Sequence, residues 1–165
     1  MVAFEGRPLV ELEAVMPSNR AAILALELLP PQQDFVASNA ESLEEADEDD
    51  EAISRAIVVD GCVVGFLMYS IDDDEATIYR FMIDRRKQGV GYGRSAVEAV
   101  LQEIAQRRHV RSVSICYEPE NDAARRLYTS LDFIEAGLDE DGEMIARRDL
   151  GGQRGDGGGS GFSSV

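Results

Sequence analysis

The chain has 165 residues, 44% of them hydrophobic, which suits one globular domain with a substantial core. Its formal net charge of −16 argues against nucleic acid as a partner, because the phosphates would be repelled. No apolar run approaches the ~20 residues that a membrane span needs, and no signal peptide is apparent, so we expect a cytoplasmic protein with no membrane partner.

The first predicted elements are a strand and two helices. Residues 9–15 alternate apolar and acidic side chains, as a half-buried strand does. Ser18 is the predicted cap of a helix that runs through Leu28 and stops at Pro30-Pro31. Ser42-Leu43-Glu44-Glu45 has the spacing of a capping box and predicts a short second helix, after which the acidic run 47–51 predicts a mobile loop.

A hairpin comes next. Asp60-Gly61 separates the apolar runs 57–59 and 62–69, which is a strong hairpin signal. Cys62 and Cys116 lie inside apolar runs and are predicted to be buried free thiols. One histidine and two scattered cysteines do not predict a metal site.

The most distinctive stretch joins a strand to a helix through a glycine-rich turn. Residues 76–84 form the predicted strand, the turn occupies 88–93, and a helix follows over 92–108. The run 110–117 returns as a strand, and the order strand, helix, strand implies a parallel pair.

The last predicted elements are a helix and a strand pair. The helix covers 122–131, and the strands 133–136 and 143–146 flank a turn at Asp141-Gly142. Residues 151–165 are mostly glycine and serine and are expected to form a disordered tail. This leaves residues 1–150 as the folded domain.

The glycine turn has the chemistry of a phosphate site. Glycines let backbone N–H groups approach a ligand closely, and those of a helix N-terminus favour anions. A turn without any ligand fits the glycines equally well. The stretch lacks the Gly-Lys-Ser/Thr ending of a Walker loop, and the spacing of Gly89, Gly91 and Gly93 does not match a Rossmann fingerprint.

Two motifs resemble one family. Gln88-Gly89-Val90-Gly91-Tyr92-Gly93 fits Gln/Arg-x-x-Gly-x-Gly/Ala, the acetyl-coenzyme A pyrophosphate loop of the GCN5-related N-acetyltransferases (GNATs). The helix from Asn121 to Tyr128 looks like the family's Asn-x-x-Ala-x-x-x-Tyr motif. The resemblance covers roughly residues 8–149. It implies an α/β (α+β) fold: a mixed, twisted sheet of about six to seven strands, helices on both faces, and two splayed central strands.

The resemblance also implies acetyl transfer from acetyl-CoA, as co-substrate, to a primary amine of a small molecule. Tyr128 matches the family's general acid. Asn121 matches a residue that bonds pantetheine, and it could also cap its own helix. The remaining residues implied to bind the cofactor are Phe81, Met82, Ile83, Gln88, Gly89, Val90, Gly91, Tyr92, Gly93, Arg94 and Ser95.

The base that deprotonates the amine is not evident. Many relatives carry a glutamate nine residues before the Gln/Arg of the loop, and Tyr79 stands there, followed by Arg80. A water chain to another acid is therefore the expected route. The expected acceptor-site residues are Asp34, Asn39, Glu41, Tyr79 and Arg80; Glu44 and Tyr69 are further candidates, with exposed acids or core packing as the alternatives.

Within the family, four segments resemble bacterial spermine/spermidine (diamine) acetyltransferases of the BltD type: 35–39, 80–84, 88–93 and 117–121. A polyamine is therefore the leading acceptor. An aminoglycoside, an amino acid or a protein N-terminus remains an alternative, as does a non-catalytic acyl-CoA sensor. GNATs often form dimers, so a homodimer also fits the resemblance.

The acidic surface admits three explanations. It could steer a polycationic substrate, adapt the protein to high salt, or be a solvated surface without a specific role. Lys87, the only lysine, fits the second explanation.

Overall fold

A computed structural model of the protein describes residues 9–30 and 38–151. The sheet has seven strands in the order β1-β2-β3-β4-β5-β7-β6, and the β4–β5 pair is parallel while the other pairs are antiparallel. The elements are β1 Glu11–Ala14, α1 Pro17–Leu24, α2 Asn39–Glu48, β2 Ile53–Val59, β3 Cys62–Asp72, β4 Glu75–Ile83, a 3₁₀ turn Arg85–Lys87, α3 Tyr92–Ala105, β5 Ser112–Tyr117, α4 Asp122–Ser130, β6 Ile134–Leu138 and β7 Met144–Asp149. The predicted α/β architecture and parallel pair are confirmed.

Helices cover both faces of the sheet because strand side chains alternate between them. On one face, the buried side of α3 packs on strand residues such as Ile78 and Ile115, and α4 adds Tyr128. On the other face, Ile23 of α1 and Leu43 of α2 pack on the opposite set of strand residues. We call this second side the α1/α2 face.

The two central strands splay apart. Parallel pairing of β4 with β5 runs only from Glu75 opposite Ser112 to Ile78 opposite Ile115, although β4 continues to Ile83. The last part of β4 therefore has no strand partner on the β5 side, and a cleft opens there, as the family resemblance implies.

A β-bulge marks the point of separation. Met68 on β3 pairs with Arg80, and the next residue, Tyr69, pairs with Ile78, so Tyr79 has no residue opposite it. The extra residue breaks the alternation of the strand. Tyr79 and Arg80 consequently lie in succession on the α1/α2 face, and Phe81 then points to the α3 side.

The caps predicted for the first two helices were wrong. α1 begins at Pro17 and not after Ser18, and it ends at Leu24, short of Leu28. Asn19 fixes its start, because its Oδ1 accepts from Met16 N at 2.8 Å and its Nδ2 donates to Ala14 O at 2.9 Å.

α2 also begins earlier than predicted. Ser38, not Ser42, is the cap: its side chain accepts from Glu41 N, and the Glu41 carboxylate accepts from Ser38 N at 3.0 Å. The Ser-x-x-Glu spacing occurs twice in succession, at Ser38 and at Ser42. The helix starts at the first, because Ser42 lies on the buried side of the helix. The helix runs to Glu48, so the acidic run 47–51 begins inside it and is not wholly a loop.

Two further outcomes concern exposure and coverage. Cys62 is exposed, contrary to the prediction, because it is the first residue of β3 after the hairpin turn, whereas Cys116 is half-buried. The predicted disordered tail, apart from Gly151, and Asp34 lie outside the described residues. None of the described helices is long and apolar enough to cross a membrane.

Candidate functional site

The candidate site is the cleft between the splayed strands, with a cavity volume of about 260 Å³. Its lining comes from β4, the glycine turn, α4 and the segment after α1. The lining residues are Leu28, Phe81, Met82, Ile83, Gln88, Gly89, Gly93, Asn121, Ala123, Ala124, Leu127 and Tyr128. The structure thus brings eight of the predicted cofactor and catalytic residues together, on elements distant in sequence.

The glycine turn leaves a helix N-terminus uncapped at one end of this cleft. Gly89 and Gly91 have φ angles of 78° and 94°, a left-handed conformation that favours glycine. Gly91 is the N-cap of α3 and has no side chain to accept hydrogen bonds from the first helical turn. The local positive end of the helix is therefore available to an anion.

The side chains of this turn contact the protein itself and do not all face the cleft. Gln88 Nε2 donates to Ile83 O at 2.9 Å, so the side chain folds back on the end of β4. Val90 is exposed, and Tyr92 packs partly on the α3 side of the core. Arg94 contacts Ser130 Oγ at 2.8 Å and Glu98 at 3.5 Å, which ties α3 to the end of α4.

Tyr128 forms part of the cleft wall. Its side chain is 5% exposed, and burial, followed by the neighbouring Tyr117, raises the pKa of its phenol well above the usual value. Its ring lies 5.4 Å from that of Tyr117 and 5.9 Å from that of Phe133, centroid to centroid. Among the described residues no side chain or backbone group hydrogen-bonds its hydroxyl. Asn121 also lines the cleft, at the start of the helix that carries Tyr128, and caps α4 by accepting from Ala124 N at 3.1 Å.

Asp84 was not singled out from the sequence, yet it joins two parts of the site. Its carboxylate accepts from Arg86 N and Arg86 Nε, each at 2.9 Å, and from Glu27 N at 3.0 Å. These bonds lower the pKa of Asp84 to about 2, the Arg86 side chain contributing most. They hold the segment 25–30, which carries Leu28, against the start of the glycine turn. The sequence shows only an aspartate at the end of a strand, so its partners could not be read from it.

The predicted acceptor residues fall into two groups. Tyr79 and Arg80 lie on the α1/α2 face beside the splay, with Arg80 Nη2 3.2 Å from Glu45 Oε2. Arg80 Nε is buried without a hydrogen-bond partner in the part of the chain described. Asn39 and Glu41 instead serve α2: Asn39 Nδ2 donates to Ile23 O at 2.9 Å, and Glu41 closes the capping box with Ser38.

A cluster of two carboxylates and a thiol on the α1/α2 face was not predicted from the sequence. Cys116 Sγ, a carboxylate oxygen of Asp139 and one of Glu143 lie within 4.8 Å of one another. Burial, then the charges of Asp139 and Glu118, raises the pKa of Glu143, and Arg80 opposes them. Burial, then the charges of Glu143, Asp139 and Glu75, raises the pKa of Cys116 to about 11, so its thiol stays protonated. The hairpin turn after Asp139 is the sequence signal that could have placed these acids together.

Tyr69, by contrast, belongs to the core. It is fully buried, and its hydroxyl donates to Glu103, which also pairs with Arg55 at 2.9 Å. Burial and Glu103 raise the pKa of Tyr69 to about 12. It does not line the cleft.

The splayed strands and the uncapped helix define an α/β protein with a cleft between two strands and, at one end of it, a helix N-terminus that favours anions. Comparison with known proteins makes this specific. The model of the acetyltransferase (GNAT) family matches residues 20–133, and the chain belongs to this family. It is an acetyl-CoA-dependent N-acetyltransferase.

Individual relatives agree with this assignment. A spermine/spermidine N(1)-acetyltransferase of Bacillus subtilis is 31% identical over 150 residues, which cover 86% of this chain and 99% of the relative. An aminoglycoside acetyltransferase solved with coenzyme A has a TM-score of 0.74 at 14% identity, over 87% of this chain and 96% of its own. A domain from Methanocaldococcus jannaschii has a TM-score of 0.73 at 16% identity, over 87% and 99%. At these identities, the two structures show the fold alone.

Proposed function

We propose that this enzyme transfers the acetyl group of acetyl-CoA directly to a primary amine of a polyamine such as spermidine or spermine, with Tyr128 as the general acid. The observation that carries the proposal is the position of Tyr128, whose buried ring lines the same cleft as the unpaired end of β4 and the glycine turn. A proton donor, a strand edge and an anion site are thereby in one cavity.

The cofactor is held, in this proposal, along β4 and the glycine turn. The backbone of Phe81, Met82 and Ile83 has no partner on β5, so it can pair with the pantetheine amides as a sheet edge pairs with a strand. The turn from Gln88 to Ser95 receives the pyrophosphate, because the uncapped first turn of α3 presents N–H groups to it.

The reaction then needs two proton movements. The neutral amine attacks the thioester carbonyl carbon, a C–N bond forms, and the C–S bond breaks with its electron pair leaving on sulfur. Tyr128 donates a proton to that sulfur, the amine nitrogen loses one proton to water, and a proton from water returns Tyr128 to its neutral form, so the protons balance. A positioned acid of this kind typically contributes about 10²- to 10⁴-fold in rate.

The raised pKa of Tyr128 sets its protonation state. Burial disfavours phenolate, so the hydroxyl remains protonated throughout the range in which an alkylamine becomes neutral. The rate should therefore rise with pH towards the pKa of the amine, about 10 for a lysine-like group, without a fall caused by Tyr128.

The choice of a polyamine is supported by charge. The relative from Bacillus subtilis is named for spermine and spermidine, and the α1/α2 face of this chain carries Asp139, Glu118 and Glu143 beside the splay. The charges of Asp139 and Glu118 make the ionised form of Glu143 costlier, and an ammonium group would relieve that repulsion. Arg80 lies on the same face and disfavours cations close to Tyr79.

Release of the CoA thiol from acetyl-CoA should be measured with spermidine, spermine, an aminoglycoside and a peptide with a free N-terminus. We expect turnover with the polyamines and a kcat about 100-fold lower for Tyr128→Phe, with little change in the Kd of acetyl-CoA. Tyr69→Phe removes a phenol outside the cleft and is the matched control; its kcat should stay near that of the wild type.

Two outcomes would count against the proposal. Faster turnover of the aminoglycoside or the peptide than of any polyamine would assign a different acceptor. An unchanged kcat in Tyr128→Phe would remove this residue from the chemistry and leave the acceptor assignment standing.

A further inference from the structure

We infer that Tyr117 is a positioning residue for Tyr128, held in place by an ion pair between Glu135 and Arg125. The inference rests on the proposed role of Tyr128 as general acid. It assigns a function in the reaction to three residues that do not line the cleft.

The first part of the argument is the anchoring of Tyr117. This residue ends β5, beyond the last β4–β5 pair at Ile115, so no strand on the β4 side holds it. Its hydroxyl donates to Glu135 Oε1 at 2.7 Å, and Arg125 Nε donates to the same oxygen at 2.7 Å. One carboxylate oxygen of Glu135, on β6, thus holds both the Tyr117 hydroxyl of β5 and the Arg125 guanidinium of α4.

The second part is the contact between the two tyrosines. The rings of Tyr117 and Tyr128 are tilted by 54° with centroids 5.4 Å apart, a favourable aromatic geometry. Phe133 contacts Tyr128 at 5.9 Å with a tilt of 60°. Since the described residues offer the Tyr128 hydroxyl no hydrogen bond, the direction of that hydroxyl depends on how its ring is packed.

The third part is the connection between β5 and α4. Arg125 Nη2 donates to Pro119 O at 2.9 Å, and Arg125 Nη1 lies 3.3 Å from Asp122 Oδ1. Arg125 is three residues before Tyr128, on the adjacent part of the helix surface. The ion pair with Glu135 therefore restrains the loop that carries Asn121 together with the helix that carries Tyr128.

The charges of this network do not change near neutral pH. Burial and Glu135 raise the pKa of Tyr117 to about 12, and hydrogen bonds from Tyr117 and Arg125 lower the pKa of Glu135. The network is consequently a fixed support, and removing it should not shift the pH profile.

A double-mutant cycle in kcat tests the inference. Tyr117→Phe keeps the ring and removes the bond to Glu135, and we expect roughly a tenfold lower kcat, since small misplacements of reacting groups have effects of this size. On the Tyr128→Phe background the same substitution should lower kcat by less than about twofold, because the group it positions is already absent. The KM for acetyl-CoA should change by less than about threefold in either background.

Glu135→Gln, combined with Tyr128→Phe, gives a second cycle. It keeps an acceptor for the Tyr117 hydroxyl and removes the ion pair with Arg125. Glu11→Gln, on the exposed β1 at the opposite edge of the sheet, is the control and should leave kcat unchanged. Equal effects of Tyr117→Phe with and without the Tyr128 hydroxyl, or no effect in either background, would overturn the inference. If Tyr128→Phe alone leaves kcat unchanged, the proposed role of Tyr128 as general acid fails while the acceptor assignment stands, and that result is separate from the cycle.

Discussion

Replacing Asp84 with asparagine tests whether a buried carboxylate fastens the glycine turn to the rest of the fold. Asp84 is 2% exposed, and its pKa falls from 3.8 to about 2 in the folded protein. At about 1.4 kcal/mol per pKa unit, this shift corresponds to about 2.5 kcal/mol of stability near neutral pH. The side chain of Arg86 is 66% exposed, so solvent screens part of the interaction and we expect about 2 kcal/mol.

The sign of the pH dependence follows from the lowered pKa. The contribution is complete above the unfolded pKa of 3.8, falls to about half near pH 3, and is lost as the pH drops through 2. The free energy of unfolding should be measured by urea titration between pH 2 and 7 for the wild type and Asp84→Asn. Asp50→Asn, in an exposed turn, is the matched control.

The expected result is a difference of about 2 kcal/mol between the wild type and Asp84→Asn at pH 6 that shrinks towards zero at pH 2. A difference that stays constant over this range would show that the charge of Asp84 is not what stabilises the turn. Equal stability at pH 6 would refute the reasoning altogether.

Three further predictions concern packing, capping and charge. Gly65→Ala should lower the free energy of unfolding by about 1–3 kcal/mol in urea, because a Cβ there would overlap the carbonyl oxygen of Met82; an unchanged stability would contradict this contact. Ser38→Ala should lower it by about 1 kcal/mol through loss of the capping box with Glu41, and a silent substitution would mean that the helix starts elsewhere. Glu143→Gln should raise the KM for spermidine by about threefold or more while leaving the KM for acetyl-CoA unchanged, and a shift confined to acetyl-CoA would argue against an amine site on that face.

The fold could be predicted well from the sequence because its signals are local. Asp60-Gly61 and Asp141-Gly142 fix two hairpins, and the glycine turn fixes the change from strand to helix. The cap predicted for α2 failed for an equally physical reason. Ser38 and Ser42 have the same spacing to a glutamate, and only tertiary burial of Ser42 decides between them.

The candidate site was predictable only in part. Motif residues such as Gln88 and Tyr128 were found because they follow a local pattern, and they meet in one cleft. Asp84, Glu135 and Glu143 were missed because their roles depend on partners in other elements. The chain has 32 aspartates and glutamates, and the sequence does not distinguish those that have such partners from the others.

The bulge in β4 separates Tyr79 from the part of the strand that is proposed to bind acetyl-CoA. Because Tyr79 has no residue opposite it on β3, replacing its side chain disturbs no cross-strand pair. The residues after the bulge keep their own register with β3, from Arg80 opposite Met68 to Ile83 opposite Gly65. Tyr79, one of the expected acceptor-site residues, can thus be replaced to test acceptor preference while the strand edge proposed to bind acetyl-CoA stays in place.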